Sequence, residues 1–340
     1  MSFSTRFAVI SDLHVDIMPD GVSRMQAFCE AAKEQKVDFL LHLGDIQYPE
    51  VDFLREYAPE SIEKRKQGWF VCDRDDEKVA VRDLLAETGL PLYGVLGNHD
   101  MDSCSKETTC KYWGMPGPYY SFVQGGVRFL ALDTNFYKDQ DTGNLVSYDH
   151  CNYGYGKYES GFIPTEQLRW AEKVIMASEE PCVLLSHYAL GDDILCAPNR
   201  ADLWAMLRRV NEGRRRVILA LNGHNHVDGV SVREGVPFVS INSASNIWLG
   251  HQYDCVRYSK TISHVYPNIT ATAPYRDALY AIFEINESGI HMKGRRSGFV
   301  GPGPRQVNFD MSKSFFEPCA EIRDRVLPVT AISLEGKTDL

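Results

Sequence analysis

Short, wholly apolar runs alternate with amphipathic stretches over the first hundred residues. Phe7-Ala8-Val9-Ile10 leads into Ser11-Asp12, the pattern of a buried strand that delivers a polar side chain at its C-terminal tip. Residues 22–36 carry Met25, Phe28, Cys29 and Ala32 at helical spacing, and 38–44 return to strand. Residues 79–88 then read as a helix and 92–96 as a third strand. This βαβαβ order predicts an α/β architecture with ligands at the carboxyl ends of the strands. Residues 120–123 and 127–132 flank Gln124-Gly125-Gly126 as a hairpin. A helix is expected over 164–177, with Pro164 near its first turn. Strand 182–186, helix 201–210 and strand 216–221 follow, and short strands at 229–233, 238–241, 278–285 and 289–293 close the readable pattern.

Three stretches break the alternation: 47–74, which is charged, 102–160, rich in Tyr, Gly and Asp, and 248–275, with four tyrosines and two histidines. Long irregular insertions in a compact domain are usually functional or disordered, and aromatic content argues against disorder. The expected organisation is one domain over 1–298 carrying these insertions above its site. An extension of underivable role follows over 299–340, opening on the turn Gly301-Pro302-Gly303-Pro304.

Charge narrows the functional classes. Lys and Arg number 36 against 46 Asp and Glu, for a net charge of −10, which lacks the basic surface that duplex nucleic acid demands. No apolar run reaches the ~18–20 residues of a membrane span. Nine scattered cysteines without a CxxC pair suggest reduced thiols and a cytoplasmic location. The apolar run at Phe7 starts too early to expect a signal peptide before it.

Five polar clusters stand just after predicted strands: Asp12-Leu13-His14, Gly44-Asp45, Gly97-Asn98-His99-Asp100, Ser186-His187 and Gly223-His224-Asn225-His226. Strands of one parallel sheet end at a common edge, so the clusters can converge. Imidazole, carboxylate and amide oxygen without thiolate suit Mn, Fe, Zn or Co. Seven candidate ligands exceed the needs of one ion and suit two ions sharing a carboxylate.

In this order the clusters resemble the calcineurin-like metallophosphoesterases, whose pattern D-x-H, G-D, G-N-H-[DE], H, G-H-x-H is matched at every element. The resemblance implies a core of two stacked mixed β-sheets flanked by helices. It implies two divalent ions, one held by Asp12, His14, Asp45 and His226, the other by Asp45, Asn98, His187 and His224. His99 would contact the phosphate and protonate the leaving group, with Asp100 orienting it. The implied reaction is hydrolysis of a phosphoric ester through in-line attack by a metal-bridging hydroxide.

Within that family, Ser/Thr protein phosphatases continue the second motif as G-D-x-x-D-R-G, whereas this chain reads Gly44-Asp45-Ile46-Gln47-Tyr48-Pro49. Tyr48 matches the tyrosine of purple acid phosphatases, but His14 does not fit them, and Tyr48 is expected to be a wall residue. The complete motif set is similar to class III cyclic-nucleotide phosphodiesterases and manganese-dependent ADP-ribose/CDP-alcohol diphosphatases. A small nucleotide-like substrate with a phosphodiester or pyrophosphate bond is therefore expected. A phosphomonoesterase, or a non-catalytic scaffold of the same fold, remains the alternative. Such a substrate needs an aromatic shelf, for which Trp113, Tyr119, Tyr137, Tyr188, Trp248 and Tyr253 are candidates. Asn225 and Asn246 could reach phosphate oxygens.

Overall fold

The computed structural model describes residues 2–49, 51–62, 81–154 and 157–329. Part of the insertion at 47–74, the start of the helix expected at 79–88, and Cys72 lie outside them.

Two six-stranded sheets make the core. The first contains β1 (Ser4–Ile10), β2 (Phe39–His42) and β3 (Leu92–Gly94) in parallel. The second takes β4 (Tyr120–Gln124) and β5 (Val127–Ala131), which form the expected hairpin. The strands β6 (Phe136–Lys138) and β7 (Leu145–Ser147) pair separately inside the insertion at 102–160. Then β8 (Cys182–Ser186), β9 (Val217–Asn222), β10 (Gly229–Arg233) and β11 (Val236–Ser240) complete the second sheet in the order β10-β11-β9-β8-β5-β4. A small pair follows, β12 (Asn246–Trp248) with β13 (Thr272–Pro274). Finally β14 (Ala281–Asn286), β15 (Gly289–Lys293) and β16 (Arg325–Leu327) extend the first sheet to β16-β15-β14-β1-β2-β3.

Strand periodicity decides the layering. In β1, Phe7 and Val9 face the second sheet and share a core with Phe39, Leu41, Phe129, Val183, Leu185, Leu219 and Leu221. Phe7 stacks between Phe39 (4.9 Å) and Phe283 (5.2 Å) and meets the edge of Phe129 across the interface at 5.3 Å. The alternate residues Ala8, Ile10 and Leu40 pack outward on Met25, Phe28 and Ala32 of the helix Gly21–Glu34 and on Val81 and Leu85 of Val81–Ala86. On the far side Leu130, Leu184 and Ala220 pack on Leu168 and Ile175 of Thr165–Ala177 and on Leu203 and Leu207 of Arg200–Val210. Helices, sheet, sheet and helices therefore form four layers.

The chain beyond residue 299 has a structural role that its sequence does not advertise. Ala320, Ile322 and Leu327 join the core between the sheets, and β16 adds an edge strand. Arg325 holds the buried Asp228 through two bonds of 2.6 and 2.7 Å, tying this strand to the second sheet.

Candidate metal centre and cleft

The five clusters do converge, but from two sheets rather than one edge. Asp12 and His14 follow β1, Asp45 follows β2 and Asn98 follows β3, whereas His187 follows β8 and His224 and His226 follow β9. Backbone bonds sew the loops together: Asp12 N–H donates to Gly44 O (3.0 Å), His14 N–H to Asp45 O (3.1 Å) and Gly223 N–H to His187 O (3.2 Å). The close approach requires glycine, since a Cβ on Gly97 would come within 2.1 Å of Asp45 Oδ1. Asp12, His14, Asp45, His224 and His226 all have left-handed φ, between 49° and 69°. L-residues enter that region at a cost, and such strain concentrates at functional sites.

The donor atoms form two groups, Asp12/His14/His226 and Asp45/His187/His224, each gathered within 4.8 Å. Asp45 reaches both, with Oδ2 at 3.9 Å from His14 Nε2 and 3.2 Å from His187 Nε2. Asn98 Oδ1 stands 3.0 Å from His187 Nε2. Outer partners fix the rings: His187 Nδ1 bonds Leu43 O (2.6 Å) and His226 Nδ1 bonds Asn246 O (2.7 Å), turning both Nε2 atoms inward.

The arrangement fits cations and is awkward without them. Asp12 Oδ1 is buried with three imidazoles crowded on it, His226 Nε2 at 3.4 Å and His14 and His187 Nε2 at 4.0 Å, and His14 Nε2 faces His226 Nε2 at 3.3 Å. Burial pushes His14 down to about 3, against the pull of Asp45. It does the same to His224, with the charge of His187 adding to it, also to about 3. These imidazoles are neutral donors of lone pairs, as metal ligation requires. Burial opposes ionisation of Asp45, but His187, His99 and His14 hold it well below the usual carboxylate range.

His99 lines the cleft beside this cluster. Its orienting carboxylate is not Asp100, as the resemblance implied, but Asp102, whose Oδ2 lies 2.8 Å from His99 Nδ1. Asp100 Oδ2 instead accepts the Gly97 (2.6 Å) and Asp45 (3.3 Å) backbone N–H groups, tying the β2 and β3 loops. Burial, then the charge of Asp45, raises Asp100 to about 8. Burial lowers the basicity of His99, but Asp102 and Asp45 outweigh it and raise the imidazole to about 9. Two tyrosines donate to Asp102, Tyr48 at 2.8 Å and Tyr153 at 2.5 Å. Tyr48, at the purple-phosphatase position, is thus engaged with Asp102 and nearly buried. The sequence offered no signal for Asp102 or Tyr153, which sit in an insertion of unreadable structure.

The cleft above the cluster encloses about 810 Å³. Tyr188 and Trp248 line it, with ring centres 3.9 Å from His224 and 6.3 Å from His14 respectively. Asn225 lines it too, whereas the Asn246 side chain is fully buried and serves the site through its backbone carbonyl. Trp113 is withdrawn from the shelf, packed on His42 at 4.7 Å, and Tyr119 lies against Trp170. Tyr137 and Tyr253 stand one layer back, behind Tyr158 and Phe309, which do line the cleft. Phe309, Lys313 and Ser314 bring the C-terminal stretch into the wall, a contribution the sequence left unseen.

Two mixed sheets with flanking helices and a His/Asp cluster at their seam define a metallohydrolase fold. The chain belongs to the calcineurin-like phosphoesterase family, whose model matches residues 5–228. It is accordingly a metal-dependent phosphoric ester hydrolase. Among solved structures, a dimetal phosphatase from Danio rerio is similar at 16% identity and a TM-score of 0.58, over 87% of this chain and 98% of that one. GAP50, the anchor in the inner membrane complex of Plasmodium, matches at 14% identity and a TM-score of 0.48, over 88% and 86%. No curated protein matches the chain in sequence. Among the described residues, no helix is long and apolar enough to cross a membrane.

Proposed function

We propose that this protein uses two divalent cations to hydrolyse a phosphodiester or pyrophosphate bond in a small nucleotide-like molecule. One cation would be held by Asp12, His14, Asp45 and His226, the other by Asp45, Asn98, His187 and His224. When bound, such a pair supplies Lewis acidity and a water that ionises near neutral pH. His99 has Nδ1 committed to Asp102, so proton transfer to the leaving oxygen falls to Nε2. Its raised pKa keeps that proton in place at neutral pH.

The observation that carries the substrate reading is the cleft. At about 810 Å³ it far exceeds a phosphate and matches the size of drug-like and nucleotide ligands. Trp248, Tyr158 and Phe309 supply aromatic wall, and Arg200 and Lys313 supply positive charge to an anionic ligand. The non-catalytic alternative is disfavoured because all seven donor positions hold competent side chains.

The test is protein reconstituted with Mn and offered bis-p-nitrophenyl phosphate, p-nitrophenyl phosphate, cyclic AMP and ADP-ribose. Preference for a diester or pyrophosphate is expected. A strong preference for the monoester would overturn the bond assignment, and Mn binding without any turnover would favour a scaffold.

A further inference from the structure

Residues 189–199 connect β8 to the helix Arg200–Val210 and are fastened along their length. Ala197 N–H donates to Ala189 O (2.8 Å), Asp192 N–H to Ser231 Oγ (3.0 Å) and Trp204 Nε1 to Leu190 O (2.8 Å), and the Asn199 side chain exchanges two bonds with the backbone of Ile163 (3.0 and 2.8 Å). The tip is fastened to the metal-ligand turn itself. Asp193 accepts Ile194 N–H at 2.7 Å, and its carboxylate bonds the side chains of Ser240 and of Asn225, which stands between His224 and His226. The next two residues, Ile194 and Leu195, are 45% and 54% exposed and line the cleft. Cys196 and Pro198 of the same loop line it too, as do Ile247 and Phe309 from other segments. An isolated apolar side chain on a surface needs no explanation, but an adjacent exposed pair held firmly at a cleft marks a binding surface.

What this loop can bind follows from its side chains. Branched aliphatic groups offer neither a flat ring to a nucleobase nor a hydrogen bond to a sugar, and they gain affinity from hydrocarbon in proportion to the area taken from water. A second copy of the chain is a poor occupant, since a stable interface takes about 800 Å² from each partner, and the charged Glu159, Arg200 and Lys313 line the same cleft. A group carried by the substrate needs no such area, because its phosphate, held at the donor cluster, would already anchor it beside the loop. We propose that Ile194 and Leu195 form a subsite for an aliphatic group joined to the scissile phosphate. The subsite rests on the phosphohydrolase reading above and specifies one of the two groups flanking the bond that breaks. The substrate is then amphiphilic, anionic at the donor cluster and hydrocarbon at the loop.

Calorimetry on the Mn-loaded protein with methyl, butyl and hexyl phosphate reads the subsite through affinity alone. Each buried methylene tightens binding about fourfold, so hexyl phosphate is expected to bind about twentyfold or more tightly than methyl phosphate. Glycerol 3-phosphate, with a polar chain, should gain nothing over methyl phosphate. Ile194→Ser combined with Leu195→Ser should bring the ratio of hexyl to methyl to within about threefold. Ile194→Val combined with Leu195→Met keeps the apolar surface and should retain the ratio. Equal binding of the three alkyl phosphates by the wild type, or the full ratio kept in the folded serine variant, overturns the subsite. So does a dimer in sedimentation that the serine variant abolishes, since the loop would then face a second copy. Bis-p-nitrophenyl phosphate carries no aliphatic chain: its Mn-dependent hydrolysis without a chain-length effect on binding rejects the subsite alone, and no hydrolysis rejects the underlying function.

Discussion

Asp102 accepts the His99 ring proton at 2.8 Å from one turn downstream, while its two oxygens also receive the hydroxyls of Tyr48 and Tyr153. Three donors thus hold one carboxylate in place, and the carboxylate holds the imidazole. Asp102→Asn should lower turnover roughly 10- to 100-fold, the usual cost of losing an outer partner. On the proposal that His99 protonates the leaving group, the loss should be larger for an alkyl alcohol than for p-nitrophenol. A loss independent of the leaving group would remove His99 from that role.

Asp45 reaches across the two donor groups, 3.9 Å from His14 Nε2 and 3.2 Å from His187 Nε2. Asp45→Asn is expected to cut turnover by orders of magnitude while the melting transition stays cooperative. Elemental analysis should show fewer than two ions per chain. Two full equivalents of metal with normal turnover would contradict the sharing of Asp45.

The donors come from both sheets, so bound cations would fasten one half of the sandwich to the other. Anything that binds only the folded state stabilises it by mass action, by ~2.7 kcal/mol when metal stands a hundredfold above its dissociation constant. Excess chelator should therefore lower the melting temperature, and added Mn should restore it. An unchanged melting curve would argue that no ion binds at the seam.

His42 offers a pH dependence away from the cleft. It is buried among Gly94 and Trp113 with neither ring nitrogen hydrogen-bonded among the described residues, and burial, aided by the charge of His187, lowers it to about 3. In the unfolded chain it titrates near 6.5. Between those values the unfolded state binds the additional proton, so its contribution to stability is complete above pH 6.5 and is lost as pH falls toward 3. The full effect is bounded at about 5 kcal/mol. His42→Leu should lose less stability than wild type between pH 7 and 4 in urea melts, and parallel curves would refute the assignment.

The strands and their polar ends were legible because a buried strand leaves an unbroken apolar run and the next polar residue then stands out, as Ser11-Asp12 does after Ile10. That these ends meet across two sheets was not legible, since periodicity does not say which strands pair. Asp102 escaped notice because it lies three residues past a recognisable motif, among loop residues whose partners are set by tertiary contact. Trp113 shows the converse: residue type suggested a shelf, but side-chain direction sent the ring into the core. β16 is three residues long, too short for any period to show.

The left-handed torsions at Asp12, His14, Asp45, His224 and His226 also govern which replacements these positions tolerate. Asparagine occupies such torsions more readily than most residues, whereas valine, isoleucine and threonine are penalised by their branched Cβ before any question of ligation arises. Exchanging Asp for Asn at 12 or 45 therefore removes a negative charge while sparing the local chain path. A β-branched substitution would confound two losses, and mutational scans of this seam should be interpreted accordingly.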